Sequence, residues 1–365
     1  MSALFSPLRL RDVTLRNRVV VSPMCEYSSA DGFADDWHVV HLGSRAVGGA
    51  GLVFTEAIAV TPEGRISPQD LGIWKDEHGA ELARIARFCA RQGAQWGTQL
   101  AHAGRKGSTK RPWEGGGAVT EGAWTPLGPG NEPFDPRYPV PQALDEAGIA
   151  RIVAAFAAGA RRTLEAGGSV LEIHGAHGYL VHEFLSPLVN RRTDRWGGSF
   201  ENRTRLAREI VRAVRAVWPE RLPLFVRLSA TDWVEGGWDV EQTIELAAAL
   251  RDDGVDLIDV SSGGAVPVAA DAIPVGPLYQ TPFAERIRRE ARIATGTVGM
   301  IVEPADAEAI VAGGRADLVL LARELLRDPY WPLFAARALG AEIAWPPQYQ
   351  RAVGDRATMR VPAKV

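Results

Sequence analysis

Eight short apolar runs rich in β-branched residues, each followed by a stretch with helical spacing, constrain this chain more than any other feature. The runs are Arg18–Met24, Gly51–Ala57, Gln95–His102, Val170–His174, Leu222–Ser229, Leu257–Ser261, Thr295–Ile301 and Leu318–Ala322. Several are apolar almost throughout, as parallel strands buried on both faces must be. Helical patterns occupy Glu77–Gln92, Asp145–Ala166, Phe200–Trp218, Val240–Asp253, Phe283–Arg292 and Pro304–Ala312. Asp145 followed by Glu146, and Glu303-Pro304 with an acidic first turn, are helix-start signals. Such units joined by right-handed crossovers close into a (β/α)8 TIM barrel, an α/β fold. A doubly wound open sheet loses its main support, since no Gly-x-Gly-x-x-Gly turn follows the first run.

Two segments exceed a minimal barrel. Residues 1–17 alternate through Leu8, Leu10, Val13 and Leu15, the pattern of a hairpin plugging the barrel bottom. Residues 107–143, after strand three, are rich in Pro and Gly yet carry Trp113, Trp124, Phe134 and Tyr138. Barrel enzymes keep their sites on that face, and the aromatic content predicts a packed lid there. With these additions the whole chain, 1–365, reads as one domain.

Composition narrows the function. A net charge of −3 leaves no basic footprint for nucleic acid. Two cysteines, Cys25 and Cys89, exclude a disulfide scaffold, a four-cysteine zinc site and a cysteine-ligated iron–sulfur cluster within one chain. No run is long enough to cross a bilayer, and neither end carries a signal-peptide core or a lipidation motif. The expectation is a cytoplasmic enzyme.

Chemistry-bearing residues gather at the predicted strand ends. Strand four ends Glu172-Ile-His174-Gly-Ala-His177-Gly-Tyr179, two imidazoles and a phenol suited to acid–base work or to holding an oxyanion. A zinc hydrolase built from Glu172, His174 and His177 or His102 is the competing reading, on loose spacing. Lys75, Lys106, Lys110 and Lys364 all fall outside the strands, which weakens a Schiff-base reading. Arg227, among apolar neighbours on strand five, needs an anionic partner, either a carboxylate or a ligand. Gly299 and Met300 after strand seven, and Ala322 and Arg323 after strand eight, lie where barrels bind phosphate, with Ser261, Ser262 and Gly263 as further cradle.

The motifs Asn17-Arg18, Ser22-Pro23-Met24-Cys25, Glu56-Ala57, Pro62-Glu-Gly-Arg65, Gln99-Leu-Ala-His102-Ala-Gly-Arg-Lys106, His174-Gly-Ala-His177-Gly-Tyr179, Phe184-Leu-Ser-Pro187, Arg192-Thr-Asp194, Gly197-Gly-Ser199, Glu201-Asn-Arg203 and Arg323-Glu-Leu-Leu-Arg-Asp-Pro329 run collinearly through the chain. In this set the chain resembles the Old Yellow Enzyme family of FMN-dependent ene-reductases, in its xenobiotic-reductase-like (thermophilic-like) bacterial branch. The resemblance implies FMN at the barrel mouth. Its phosphate would lie by Gly299, Met300, Ala322 and Arg323, with Ser262 and Gly263 nearby. Arg227 and Gln99 would hold the flavin edge, and Ser22, Pro23, Met24, Cys25 and Ala57 would line the ring. It implies a ping-pong reaction: NADPH or NADH reduces FMN and leaves, then an α,β-unsaturated carbonyl compound enters. His174 and His177 would hold its oxygen, Tyr179 would supply a proton, and Tyr27 would contact the substrate. It further implies a homodimer or homotetramer in which residues 341–365 reach a neighbouring subunit and Arg351 completes its pocket. Ala322 stands where the family often has Gly, with the backbone N–H preserved. The alternatives are a dienoyl-CoA-reductase type flavoprotein, disfavoured by cysteine content and length, a metal-dependent hydrolase, and a flavin redox sensor acting through Cys25.

Overall fold

In the computed structural model, which describes residues 2–353, eight parallel strands close into a barrel in sequence order. They are β1 (Val19–Val21), β2 (Leu52–Ala59), β3 (Gln95–Ala101), β4 (Val170–Gly175), β5 (Leu224–Ser229), β6 (Leu257–Ser261), β7 (Ala294–Thr297) and β8 (Leu318–Leu321), with β8 pairing β1 to close the ring. Nearly every strand residue is buried, because side chains alternate between the barrel interior and the helical shell. The predicted barrel is therefore the observed fold. Helices α1 (Asp36–Val47), α2 (Gly79–Arg91), α3 (Glu146–Glu165), α4 (Phe200–Arg215), α5 (Val240–Asp252), α6 (Thr281–Ala291), α7 (Pro304–Ala312) and α8 (Trp331–Ala338) form that shell. Helices α1 and α8 lie outside the six stretches with helical spacing named from the sequence.

Local chemistry sets the helix starts. The Asp145, Ser199 and Asp239 side chains accept from the backbone N–H three residues on, satisfying donors that the first turn leaves free. Glu303 caps α7 in position only, with no side-chain bond. Two strands are shorter than expected: β1 stops at Val21 and β7 at Thr297. Ser22–Cys25 and Val298–Ile301 are thus rim loops rather than strand. The expected N-terminal hairpin pairs Leu8–Leu10 with Val13–Leu15, and Arg11 ties it to the bottom of the barrel through Asp256 at 2.6 Å.

One irregularity matters for the site. Between Phe54 and Ala57, β2 carries one residue more than β3, so Ala57 comes opposite Gln99. This bulge puts both residues on one face and lets Glu56 meet His38 of α1 at 3.1 Å. The 107–143 segment is tethered to the barrel: Trp124 Nε1 donates to the Glu63 carbonyl at 2.9 Å, and Lys106 sits 4.1 Å from the Phe134 ring. Trp113, however, is exposed, touching Tyr27 edge-on at 5.7 Å. Among the described residues no helix is long and apolar enough to cross a membrane.

Candidate active site at the barrel mouth

Strand β4 delivers the predicted cluster to the C-terminal rim. The His174 and His177 rings lie 5.2 Å apart at an interplanar angle of 88°, and Tyr179 lies 5.0 Å from His174. His177 sits at φ +60 and Gly178 at φ +71, so the chain turns sharply between the three groups. His174 Nδ1 accepts the Ala176 N–H at 3.3 Å, which fixes the Nε2–H tautomer and leaves that nitrogen as a donor. His177 Nε2 meets Ser261 Oγ at 2.7 Å. Burial and then the Arg227 charge push both imidazoles well below the ordinary histidine range, so both are neutral near pH 7. Burial also raises the Tyr179 phenol, keeping its proton in place.

Beneath them runs a buried polar row. Gln99 Nε2 donates to Glu172 Oε1 at 2.7 Å. Arg227 donates to Ser22 Oγ at 3.2 Å, and its Nε lies 3.0 Å from Asp259 Oδ2 without hydrogen-bond alignment. Asp259 is the carboxylate that the lone arginine required. Burial drives Glu172 well above the ordinary carboxylate range, helped by the Asp259 charge and opposed by Arg227. Glu172 Oε2 and both Asp259 oxygens lack hydrogen-bond partners among the described residues.

A cavity of about 260 Å³ opens beside this row, lined by Arg227, Gln280, Gly299, Met300, Ala322 and Arg323 among others. Gly299 has φ +127, and a Cβ there would approach Gln280 Nε2 and Tyr279 Cε1 to 2.9 Å. Arg323 opens the short helix Arg323–Arg327 at the cavity wall. A cavity with a guanidinium on each side suits an anionic ligand. Ser262 reaches it only through Gln280, donating to Oε1 at 2.5 Å. The Gly263 N–H is already given to the Thr231 carbonyl at 2.7 Å and is not a free donor for phosphate. Ser22, Pro23, Met24 and Cys25 form the rim loop after β1, and Ala57 is buried beside Gln99.

A second cavity of about 340 Å³ lies outside the phenol, between Tyr27, Tyr179, Tyr138, Lys106 and the glycines 115–117 of the lid. Tyr27 and Tyr179 thus face one space. Cys25 is half-buried, and burial with the Asp70 and Glu56 charges pushes its thiol up, away from thiolate reactivity. Arg351, on the exposed turn Pro347–Ala352, lines neither cavity of its own chain. Residues 354–365 of the proposed reaching segment lie outside the described residues.

The zinc set is not brought together: Glu172 pairs with Gln99, and His102 Nδ1 accepts the Gly104 N–H at 3.1 Å. Among the described residues no three His, Cys, Asp or Glu side chains group closely enough to hold a metal. The sequence reading assigned no role to Asp259, Gln280 or Lys106. Asp259 carried a signal, an acid alone in an apolar strand. Gln280 carried none, since the long β6–α6 connection brings it there. Lys106 Nζ donates to the His177 and Gly264 carbonyls at 2.7 and 2.6 Å, clasping the turn of β4 to the loop after β6.

Comparison with known proteins shows the family. The profile of the NADH:flavin oxidoreductase / NADH oxidase family matches residues 3–341. The chain is 51% identical over 350 residues to an NADPH dehydrogenase of Geobacillus sp. (strain WCH70), covering 95% of this chain and 98% of that one. It is 51% identical over 351 residues to an NADPH dehydrogenase of Bacillus licheniformis, covering 96% and 98%. Among solved structures, morphinone reductase in complex with tetrahydroNAD superposes with a TM-score of 0.77 at 26% identity, covering 94% of this chain and 93% of that one. The 2-naphthoyl-CoA reductase superposes with a TM-score of 0.83 at 26% identity over 93% of this chain, which spans about half (52%) of that longer protein. With a family profile over most of its length and full-length relatives at half identity, this chain belongs to the NADH:flavin oxidoreductase / NADH oxidase family, as an FMN-dependent NAD(P)H oxidoreductase of the Old Yellow Enzyme type.

Proposed function

We propose that the chain reduces the C=C bond of α,β-unsaturated carbonyl compounds, with maleimides and nitroalkenes as related acceptors. The observation that carries this is the arrangement of His174, His177 and Tyr179: two neutral imidazoles 5.2 Å apart with a protonated phenol 5.0 Å from the first.

FMN fits the residues present. The 260 Å³ cavity has Arg227 at its buried end, Gly299 where a Cβ would intrude, and Arg323 at its open end. In this reading Gly299, Met300, Ala322 and Arg323 hold the phosphate. Gln99 and Arg227 meet the polar edge of the ring, and Ser22–Cys25 with Ala57 cover it. Ser262 contributes through Gln280, and Gly263 shapes the loop. Bound FMN supplies the hydride that NADPH or NADH has given it.

The protein's own groups do the rest. The carbonyl oxygen of the acceptor sits between His174 and His177. Negative charge grows on that oxygen as the β-carbon is reduced, so fixed donors there stabilise the transition state more than the substrate. Neutral imidazoles donate without an added charge to desolvate. Tyr179 gives its hydroxyl proton to the α-carbon, and Tyr27 bounds the acceptor on the lid side. We further propose that the chain works as a homodimer or homotetramer, with Arg351 entering a neighbour's outer cavity. One domain, 1–365, with 107–143 as its lid, provides every other part.

The decisive experiment separates the half-reactions of Tyr179→Phe by anaerobic stopped flow. The ring and its contact with His174 survive, so flavin reduction by NADPH should stay within about 3-fold of wild type. Enone reduction should fall by about 10²–10⁴, the usual range for a lost general acid. Equal loss in both half-reactions would refute the proton-donor role.

A further inference from the structure

The turn that carries His177 and Tyr179 is held from behind by a pair that binds neither cofactor nor substrate. His182 lies on the short helix Leu180–Leu185, just after Tyr179. Its Nδ1 accepts the Gly178 N–H at 2.9 Å. Its Nε2 lies 3.0 Å from Asp232 Oδ1, an ion-pair distance without hydrogen-bond alignment. Both side chains are fully buried. The other Asp232 oxygen accepts from Ser186 Oγ at 2.6 Å and from the Trp238 N–H at 2.9 Å.

From these contacts we infer that His182 and Asp232 are positioning residues: the carboxylate locks one histidine tautomer, and that tautomer sets the His177–Gly178–Tyr179 turn. The argument counts donors and acceptors. Gly178 N–H can only donate, so Nδ1 must be unprotonated and Nε2 must carry the hydrogen. The Asp232 carboxylate, ionised beside Nε2, favours the tautomer that carries its hydrogen there through charge and proximity rather than through an aligned hydrogen bond. Burial alone would raise its carboxyl, but the adjacent His182 ring and the bonds from Ser186 and Trp238 outweigh burial and hold it below the ordinary aspartate range.

The turn needs such a hold. Gly178 has φ +71 and packs so tightly on the Gly264 carbonyl that a Cβ would come within 1.9 Å. His177, at φ +60, is in a left-handed conformation that a residue with a side chain keeps only when its surroundings enforce it. Ser229 Oγ takes the His177 N–H at 3.0 Å and Lys106 takes its carbonyl, so His182 anchors the next peptide in the same turn. An amide at position 232 cannot replace the carboxylate. Turned one way, its NH₂ opposes the Ser186 and Trp238 donors. Turned the other, it donates to Nε2, pushes the hydrogen to Nδ1, and sets that hydrogen against Gly178.

The inference rests on the proposed reading of His177 and Tyr179, and its test keeps the two apart. FMN-loaded wild type, Asp232→Asn, His182→Asn and His182→Phe are titrated with 4-methoxyphenol, following its charge-transfer band. The dithionite-reduced proteins are then mixed with cyclohex-2-enone. Asp232→Asn and His182→Phe should bind the phenol at least 10-fold more weakly and reduce the enone at least 10-fold more slowly. His182→Asn, whose side-chain oxygen stands where Nδ1 does and can still accept from Gly178, should recover part of both. Unchanged phenol affinity and enone rate in a folded, flavin-loaded Asp232→Asn would overturn the inference, as would a His182→Asn no better than His182→Phe. If the substituted proteins do not fold, ¹⁵N NMR of histidine-labelled wild type still decides. A His182 ring carrying its hydrogen on Nε2 supports the lock, and one carrying it on Nδ1 overturns it. A wild type that binds the phenol but reduces no enone would refute the proposed function while leaving the phenol comparison intact.

Discussion

Acid should destabilise this protein through His102 in a way that one substitution isolates. His102 follows β3, is 1% exposed, accepts the Gly104 N–H through Nδ1, and has no partner for Nε2 among the described residues. Burial pushes it down to about 4, with Glu63 pulling upward and Arg151 reinforcing the fall. In the unfolded chain it returns to about 6.5. Above pH 6.5 both states are neutral, and the group adds no pH dependence. As pH falls below 6.5 the unfolded chain takes a proton that the folded one refuses, so stability is lost until the folded form also protonates near pH 4. At pH 4.5 the difference is about 2.5 kcal/mol. Unfolding entropy of about 2.1 cal/mol/K per residue over 365 residues gives about 0.8 kcal/mol/K, so the shift in Tm is about 3 °C. His102→Asn keeps an acceptor for Gly104 and removes the titration. Melting curves at pH 7.5 and 4.5, taken on FMN-loaded protein, should show the variant losing about 3 °C less than wild type. His41, pushed down to about 3 by burial, titrates in both proteins and cancels. Parallel losses would mean that His102 is protonated, or solvated, in the folded state.

Three further expectations concern the site. Gly299→Val places a branched side chain at φ +127 and against Gln280 and Tyr279; at about 1–3 kcal/mol of strain, FMN affinity by fluorescence quenching should drop roughly 10- to 100-fold, and unchanged affinity would exclude Gly299 from the cradle. Cys25, raised by burial and by Asp70 and Glu56, should react with iodoacetamide at pH 8 at least 10-fold more slowly in the folded protein than in urea; equal rates would revive a thiol-sensor role. Arg351→Ala should raise the acceptor KM while leaving flavin reduction intact, and mixing it with Tyr179→Phe should restore activity through shared sites. Mixed oligomers that stay inactive would place the Arg351 action elsewhere.

The barrel was legible because a strand buried on both faces has no polar face to alternate, so a run such as Val19–Val21 or Leu318–Leu321 announces itself. The β4 cluster was legible because its members sit within six positions of one strand end. A strand and a tight turn keep sequence neighbours spatial neighbours, as the 5.2 and 5.0 Å ring separations show. The partner of Arg227 was legible only as a need. Asp259 fills it because β5 and β6 pair in the register Arg227↔Asp259, and register is a property of two strands together. The same holds for Ala57 opposite Gln99, which depends on a bulge in β2.

What tertiary structure alone decided is the direction of donors. Nothing in the order of residues says that Gly263 spends its N–H on Thr231, that Gln280 lines the 260 Å³ cavity, or that His182 and Asp232, fifty positions apart, meet at 3.0 Å behind the His177–Tyr179 turn. Sequence fixes which groups exist and, through local periodicity, which element carries them. A hydrogen bond is set by angle and by distances of a few tenths of an ångström, and those emerge only when the whole barrel closes.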